Sequence, residues 1–286
     1  MQVTKIDSYK NCGAVLSITE GKLTVYVTLD CGPRIIYASY DGSDNLFYNG
    51  EVTLNKPPYE EVFGAGSRWQ LYGGHRFWIA PETYPYTYYP DNEPVEYEVG
   101  QNTVIFTPPP QRVVDVQEKM TLTFAYGGLA VTHTLKNVGD KAKLCAAWAI
   151  TALAAEAAVK VPFARQDTET LSPNRGLAFW PYSDLGDLRF WMESDAVCLR
   201  HDKNITEKFK VGCRNTTGRI AIHIGNILFN KGYKSKHDVS AYTDLGVSTE
   251  MFVNGEYVEV ETLGPLTQLK PGEGTHHTEY WTFTKM

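Results

Sequence analysis

Apolar and polar residues alternate one for one along most of this chain. In "KLTVYVTLD" (Lys22 to Asp30), Leu23, Val25, Val27 and Leu29 are separated by Thr24, Tyr26 and Thr28. "NTVIFTPP", "EKMTLTFAY", "LAVTHTLKN", "RIAIHIGN" and "YVEVETLG" repeat the pattern. A period of two puts every second side chain on one face of a strand, which a helix cannot do. Turn signals separate the runs: Asp41-Gly42, Gly127-Gly128, Val138-Gly139-Asp140, Asn254-Gly255 and Pro271-Gly272-Glu273. Short strands punctuated in this way predict an all-β, antiparallel sandwich or barrel. One run resists the pattern. "LCAAWAITALAAEAAV" is rich in alanine, which favours helix, yet Trp148, Ile150 and Ala152 alternate as in a strand. The alternation predicts a strand from about Leu144 to Leu153.

Composition narrows the function. With 43% hydrophobic and 21% charged residues, the chain has the content of a folded protein and not a disordered one. Neither an internal repeat nor a linker interrupts it, so a single domain over 1–286 is expected. No stretch reaches the ~18 apolar residues of a membrane helix, and "MQVTKIDSYKNCG" lacks a basic-then-apolar secretory pattern. The expectation is a cytoplasmic protein without a membrane partner. A net charge of -6 and the lack of any basic run argue against nucleic acid. Five widely spaced cysteines without C-x-x-C read as reduced thiols, not as disulfides or a zinc ribbon. No phosphate loop, G-x-S-x-G, H-E-x-x-H or EF-hand spacing occurs, so neither cofactor nor metal is expected.

Two segments stand apart. "GSRWQLYGGHRFWIAPE" (Gly66 to Glu82) gathers Arg68, Trp69, His75, Arg76, Trp78 and a glycine pair. "PETYPYTYYPDNEP" follows as a tyrosine-rich loop, read either as the wall of a cleft or as cover for a sheet edge. The alternative for "GGHRFWIAPE" is a structural turn in which Arg76 pairs with Glu82.

The C-terminal third, "YTDLGVSTEMFVNGEYVEVETLGPLTQLKPGEGTHHTEYWTF", runs from a glutamate-bearing strand through a Leu-x-Pro-Gly-Glu turn into a closing aromatic strand. It resembles the end of the galactose mutarotase-like superfamily, which includes the aldose 1-epimerases. "GLAVTHTLKNVGDKAKLCAAWAIT" resembles that family's central strand pair, and "GCRNTTGRIAIHIGNILFNKGY" its later strands. The likeness covers about Ala65 to Met286. It implies a large twisted antiparallel β-sandwich that binds a small-molecule carbohydrate on a sheet face. It also places Glu261, in "EVETLGP", where the family carries its catalytic base.

Ring opening of a sugar needs a base at the anomeric hydroxyl and an acid at the ring oxygen, in different protonation states near neutral pH. Glu261 is the candidate base. Glu259, two residues away, shares its strand face. The family's acid histidine follows the Asn-x-Gly turn of the central strand, but "CAAWAITALA" holds none; Trp148 stands there instead. His75 is then the candidate acid, since His133 and His223 read as sheet-face histidines. Arg68, Arg76, Trp78, Trp148, Trp180 and Tyr182 complete a candidate binding set, because flat sugar faces stack on aromatic rings. The leading expectation is an aldose 1-epimerase-like isomerase. A non-catalytic carbohydrate-binding protein and a glycoside hydrolase or lyase are the alternatives on the same fold.

Overall fold

The computed structural model describes residues 1–163, 171 and 173–286. Two large sheets, every pair of strands antiparallel, carry the chain. Among the described residues one has eleven strands. Its central run, in spatial order, is Ile35–Tyr40, His75–Ala80, Lys143–Leu153, Val258–Leu263, Thr249–Val253 and Phe209–Cys213. The second has ten among the described residues, with Ile227–Tyr233, Gly274–Lys285 and Gly128–Asn137 at its centre. Between them lies the main apolar core, to which the first sheet gives Val25, Ile35, Val211 and Val260 and the second gives Val131, Phe229 and Trp281. This is the all-β sandwich that the alternation predicts. Among the described residues no helix is long and apolar enough to cross a membrane.

The turn signals work for identifiable reasons. Asp41 (φ 52°) and Gly42 (φ 76°) both lie in the left-handed region, as do Tyr126 (φ 51°) and Gly127 (φ 74°). Two consecutive positive φ values are what a tight hairpin requires. The Leu269–Glu273 turn is held from the side by Asn137, whose Nδ2 donates to the carbonyls of Leu269 (3.1 Å) and Lys141 (2.8 Å).

The alanine-rich run forms a strand over Lys143–Leu153, not a helix. From Cys145 to Leu153 every residue is buried. Helix propensity, worth a few tenths of a kcal/mol per residue, yields to burial on both faces of a central strand.

Gly73 and Gly74 place the next element. Trp69–Gly73 pairs with Asn49–Leu54 in a separate two-stranded ribbon, and His75–Ala80 then joins the large sheet. The switch uses φ values of 85° and 67°. A Cβ at Gly73 would sit 2.1 Å from the Tyr48 carbonyl oxygen, and one at Gly74 would sit 2.3 Å from that of Ile35. Only glycine fits both conformation and space. The result brings Trp69 over Trp78, ring centroids 5.5 Å apart.

Candidate functional site

Strand register sets the site. Ile150 lies opposite Arg76 on one side and Glu261 on the other, and Glu261 lies opposite Glu250. Residues up to about 185 positions apart in sequence thus form one row across the sheet. Their side chains project on the face turned away from the second sheet. There Trp69, Trp78, Trp148, Ile150 and Tyr257, part of a second apolar cluster, line a cleft of about 810 Å³. That volume lies within the ~300–1,000 Å³ typical of small-molecule sites.

Three ion pairs, built on two cations, form the floor. Arg76 Nη1 donates to Glu259 Oε1 at 2.8 Å, and the guanidinium stacks on Trp78 at 4.5 Å. Lys210 Nζ donates to Glu261 Oε2 at 3.0 Å and reaches Glu250 Oε2 at 2.7 Å. It lies between the rings of Trp148 (5.0 Å) and Trp180 (4.5 Å). Trp148 Nε1 donates to Glu261 Oε2 at 2.9 Å. Burial opposes the charge on Lys210, but the two carboxylates outweigh it and raise its pKa well above the usual lysine range. Burial raises both glutamates, against the pull of Lys210. The arrangement therefore keeps Lys210 charged. Glu261 Oε1, Glu250 Oε1, Arg76 Nε and Trp69 Nε1 are buried without a hydrogen-bond partner among the described residues.

The tyrosine loop forms a wall. Tyr88 packs on Trp78 (4.7 Å) and Trp69 (5.3 Å), and its hydroxyl donates to Glu82 at 2.6 Å. Glu82 is therefore not the partner of Arg76. Tyr257 packs against Tyr48 (4.6 Å) and Phe252 (5.9 Å) on the ribbon side.

Seven sequence candidates meet here: Arg76, Trp78, Trp148, Trp180, Tyr182, Glu259 and Glu261 all line the cleft. Two do not. His75 is the neighbour of Arg76, so the strand turns it to the opposite face, between the sheets. It bonds Thr151 Oγ1 at 2.8 Å and His133 Nε2 at 2.7 Å, fully buried and away from the Glu261 side chain. Burial, followed by His133 and Lys231, holds it well below the usual histidine range. It is not placed to act as an acid in the cleft. Arg68 is exposed and lines a separate surface depression with Tyr72, Tyr89 and Asn92. It precedes the glycine switch and stays on the ribbon's other side from Trp69.

Sequence reasoning missed Lys210 and Glu250. A signal existed. Lys210 interrupts the buried strand "FKVGC", and Glu250 the buried strand "TEMFV". A single charge inside an otherwise apolar strand implies a buried partner. The five cysteines are free and buried, as their spacing suggested.

No family model matches the sequence, and no curated protein does. Solved structures do match. A galactose mutarotase-like protein from Clostridium acetobutylicum superposes with a TM-score of 0.59 at 9% identity, over 100% of this chain and 99% of that one. Galactose 1-epimerase from Lactobacillus acidophilus gives 0.50 at 10% identity, over 99% and 98%. A TPR-domain containing protein from Parabacteroides distasonis gives 0.59 at 14% identity over 95% of this chain; this chain spans 47% of that longer protein. Identities this low speak for architecture alone. With two antiparallel sheets in this order and this likeness along its whole length, the chain has the galactose mutarotase-like fold.

Proposed function

We propose that the chain is a carbohydrate-binding protein whose ligand lies in the cleft over Arg76, Glu259 and Glu261. The observation that carries this reading is the union, in one cleft, of aromatic faces with buried polar atoms that lack partners. Trp69, Trp78, Tyr88, Trp180 and Tyr182 offer stacking surfaces. Glu261 Oε1, Arg76 Nε and Trp69 Nε1 offer one acceptor and two donors. A buried unsatisfied polar group costs about 1–3 kcal/mol, and sugar hydroxyls donate and accept equally well. The absence of a histidine in the central strand, and the burial of His75 on the other face, favour binding over epimerisation.

One observation favours an isomerase as the second reading. Glu250 and Glu261 face each other across adjacent strands and share Lys210, and burial raises both carboxyls. Two buried carboxyls around one ammonium are raw material for acid/base catalysis.

Titration with D-glucose, D-galactose and maltose, followed by protein NMR, tests the first reading. Shifts in the Trp78, Trp148 and Trp180 indole N–H signals are expected. No shift with any of the three at tens of millimolar sinks it. The same samples, started from pure α-anomer, show whether anomers interconvert faster than in buffer. Acceleration that disappears in Glu261→Gln selects the isomerase.

A further inference from the structure

We propose that the cleft carries its own counter-ions and so selects uncharged saccharides, with Glu259 as the specificity-determining residue. Glu259 holds the place at Arg76 that a ligand carboxylate or phosphate would otherwise take. The inference rests on the saccharide reading above and names the ligand class of that same cleft.

A guanidinium beneath aromatic rings is a good receptor for an acidic sugar, because its fork of donors matches a carboxylate or phosphate. Arg76 has the setting. It is 4% exposed, lies 4.5 Å from the Trp78 ring and 5.7 Å from that of Trp69, and opens onto the cleft. Its partner is supplied by the protein itself: Glu259 Oε1 accepts from Nη1 at 2.8 Å. The register fixes this pairing, since Arg76 lies opposite Ile150, which lies opposite Glu261, and Glu259 is next on the same face.

The second buried cation is taken as well. Lys210 lies 2.7 Å from Glu250 and 3.0 Å from Glu261. At the rim, Lys208 is exposed, where water and salt weaken its pull. Glu82 and Glu256 line the same cleft and add negative charge, although their nearest contacts are the hydroxyls of Tyr88 and Tyr48. An entering carboxylate or phosphate therefore meets no uncompensated buried cation, and it meets several carboxylates. An uncharged sugar meets the same stacking faces and brings no charge against the paired ions beneath them, where Glu261 Oε1 and Arg76 Nε lie buried without partners.

The test compares each neutral aldose with its own uronate in matched NMR titrations: D-glucose with D-glucuronate, and D-galactose with D-galacturonate. Wild-type protein is expected to bind the better neutral sugar about tenfold or more tightly than its uronate, as buried like charges repel strongly. Glu259→Gln keeps the side-chain shape and an acceptor for Arg76 but removes the anion. It should cut that preference by about tenfold, chiefly by gaining uronate affinity. The double variant Arg76→Gln/Glu259→Gln should lose the gain, because the uncovered cation is gone. Circular dichroism establishes that each variant is folded; if Glu259→Gln is not, the wild-type comparison still decides the matter. Equal or tighter uronate binding by wild-type protein overturns the inference. So does an unchanged ratio in a folded Glu259→Gln protein. If neither neutral sugar nor uronate binds, the saccharide reading itself fails and takes this inference with it, an outcome distinct from binding without charge preference.

Discussion

The two faces of the central strands carry nearly the same chemistry and use it in opposite ways. On the inner face, Glu279 accepts from Thr262 Oγ1 (2.5 Å) and Trp281 Nε1 (2.8 Å) and pairs with Lys231 (2.8 Å). Lys231 also donates to Thr151, which reaches His75 and through it His133. Thr262 contacts His277 Nε2 at 2.7 Å. On the outer face Arg76, next to His75, and Glu261, next to Thr262, join Glu259 and Lys210 in ion pairs of similar length. The inner network is sealed between two sheets; both Glu279 oxygens are engaged, and His133 Nδ1 is left without a partner among the described residues. The outer one opens onto a cleft and leaves an oxygen of Glu261 and the Nε of Arg76 without partners. Similar ion pairs are thus closed in on one face and left beside an open cleft on the other, where the proposed ligand would lie. What separates them is whether a second sheet covers them.

The sharpest way to break this comparison is to remove one carboxylate from each face. Glu279→Ala strands the fully buried Lys231 and frees Thr262 and Trp281. It should cost about 3–5 kcal/mol of stability, read by urea unfolding. A loss below about 1 kcal/mol would mean that the inner network is not what holds the sheets together. Acid tests the same face. Burial lowers His277 from 6.5 to about 4. Between those values the unfolded chain takes up a proton that the folded protein refuses. The contribution is therefore present above pH 6.5 and is lost as the pH falls toward 4, by about 3 kcal/mol. Melting curves from pH 7 to pH 4 should show wild-type protein losing more stability than His277→Gln. The difference between the two isolates His277 from Glu118, whose burial pushes its carboxyl up to about 8 and acts with the opposite sign.

The alternation made the sheets legible in sequence, and it also made the outer face legible where family likeness supplied a starting point. Glu261, Glu259, Arg76 and the tryptophans could be assembled because each stands on a strand with a readable period. His75 could be placed in the same way. It stands beside Arg76 on one strand, so the two cannot both face the cleft, and grouping both with the site went against the alternation that the sequence itself shows. Lys210 and Glu250 each carried a signal, a lone charge in an apolar strand, but not the name of the partner. That comes only from the register, which sets Glu250 opposite Gly212, two residues from Lys210.

The outer face predicts the reverse balance. Glu261→Gln keeps an acceptor for Trp148, and Lys210 retains Glu250, so the loss of stability should be about 1–2 kcal/mol. Saccharide affinity should fall by about tenfold or more, since a charged acceptor in a buried site is replaced by a neutral one. Titration of the folded variant with the sugar that wild-type protein binds best measures this. If stability falls as far as in Glu279→Ala while affinity is unchanged, the outer pair is structural, and the division between the faces fails.

The smallest expected effect concerns Arg68, which sequence reasoning grouped with the cleft. It is exposed, and its backbone carbonyl, not its side chain, accepts from Asn92 Nδ2 at 3.1 Å. Its depression, of about 510 Å³, shares no lining residue with the cleft. A surface side chain without a buried partner contributes within about 0.5 kcal/mol. Arg68→Ala should therefore leave both the unfolding midpoint and the saccharide affinity where they are, while Trp69→Ala, the next residue, should lower both. Trp69 buries its ring against Trp78 and Tyr88 and lines the cleft, and losing such a ring costs about 3–5 kcal/mol. A drop in sugar affinity for Arg68→Ala comparable to that for Trp69→Ala would show that the binding surface extends around the ribbon. The division would then lie at the ribbon's outer edge and not between the two faces of the sheet.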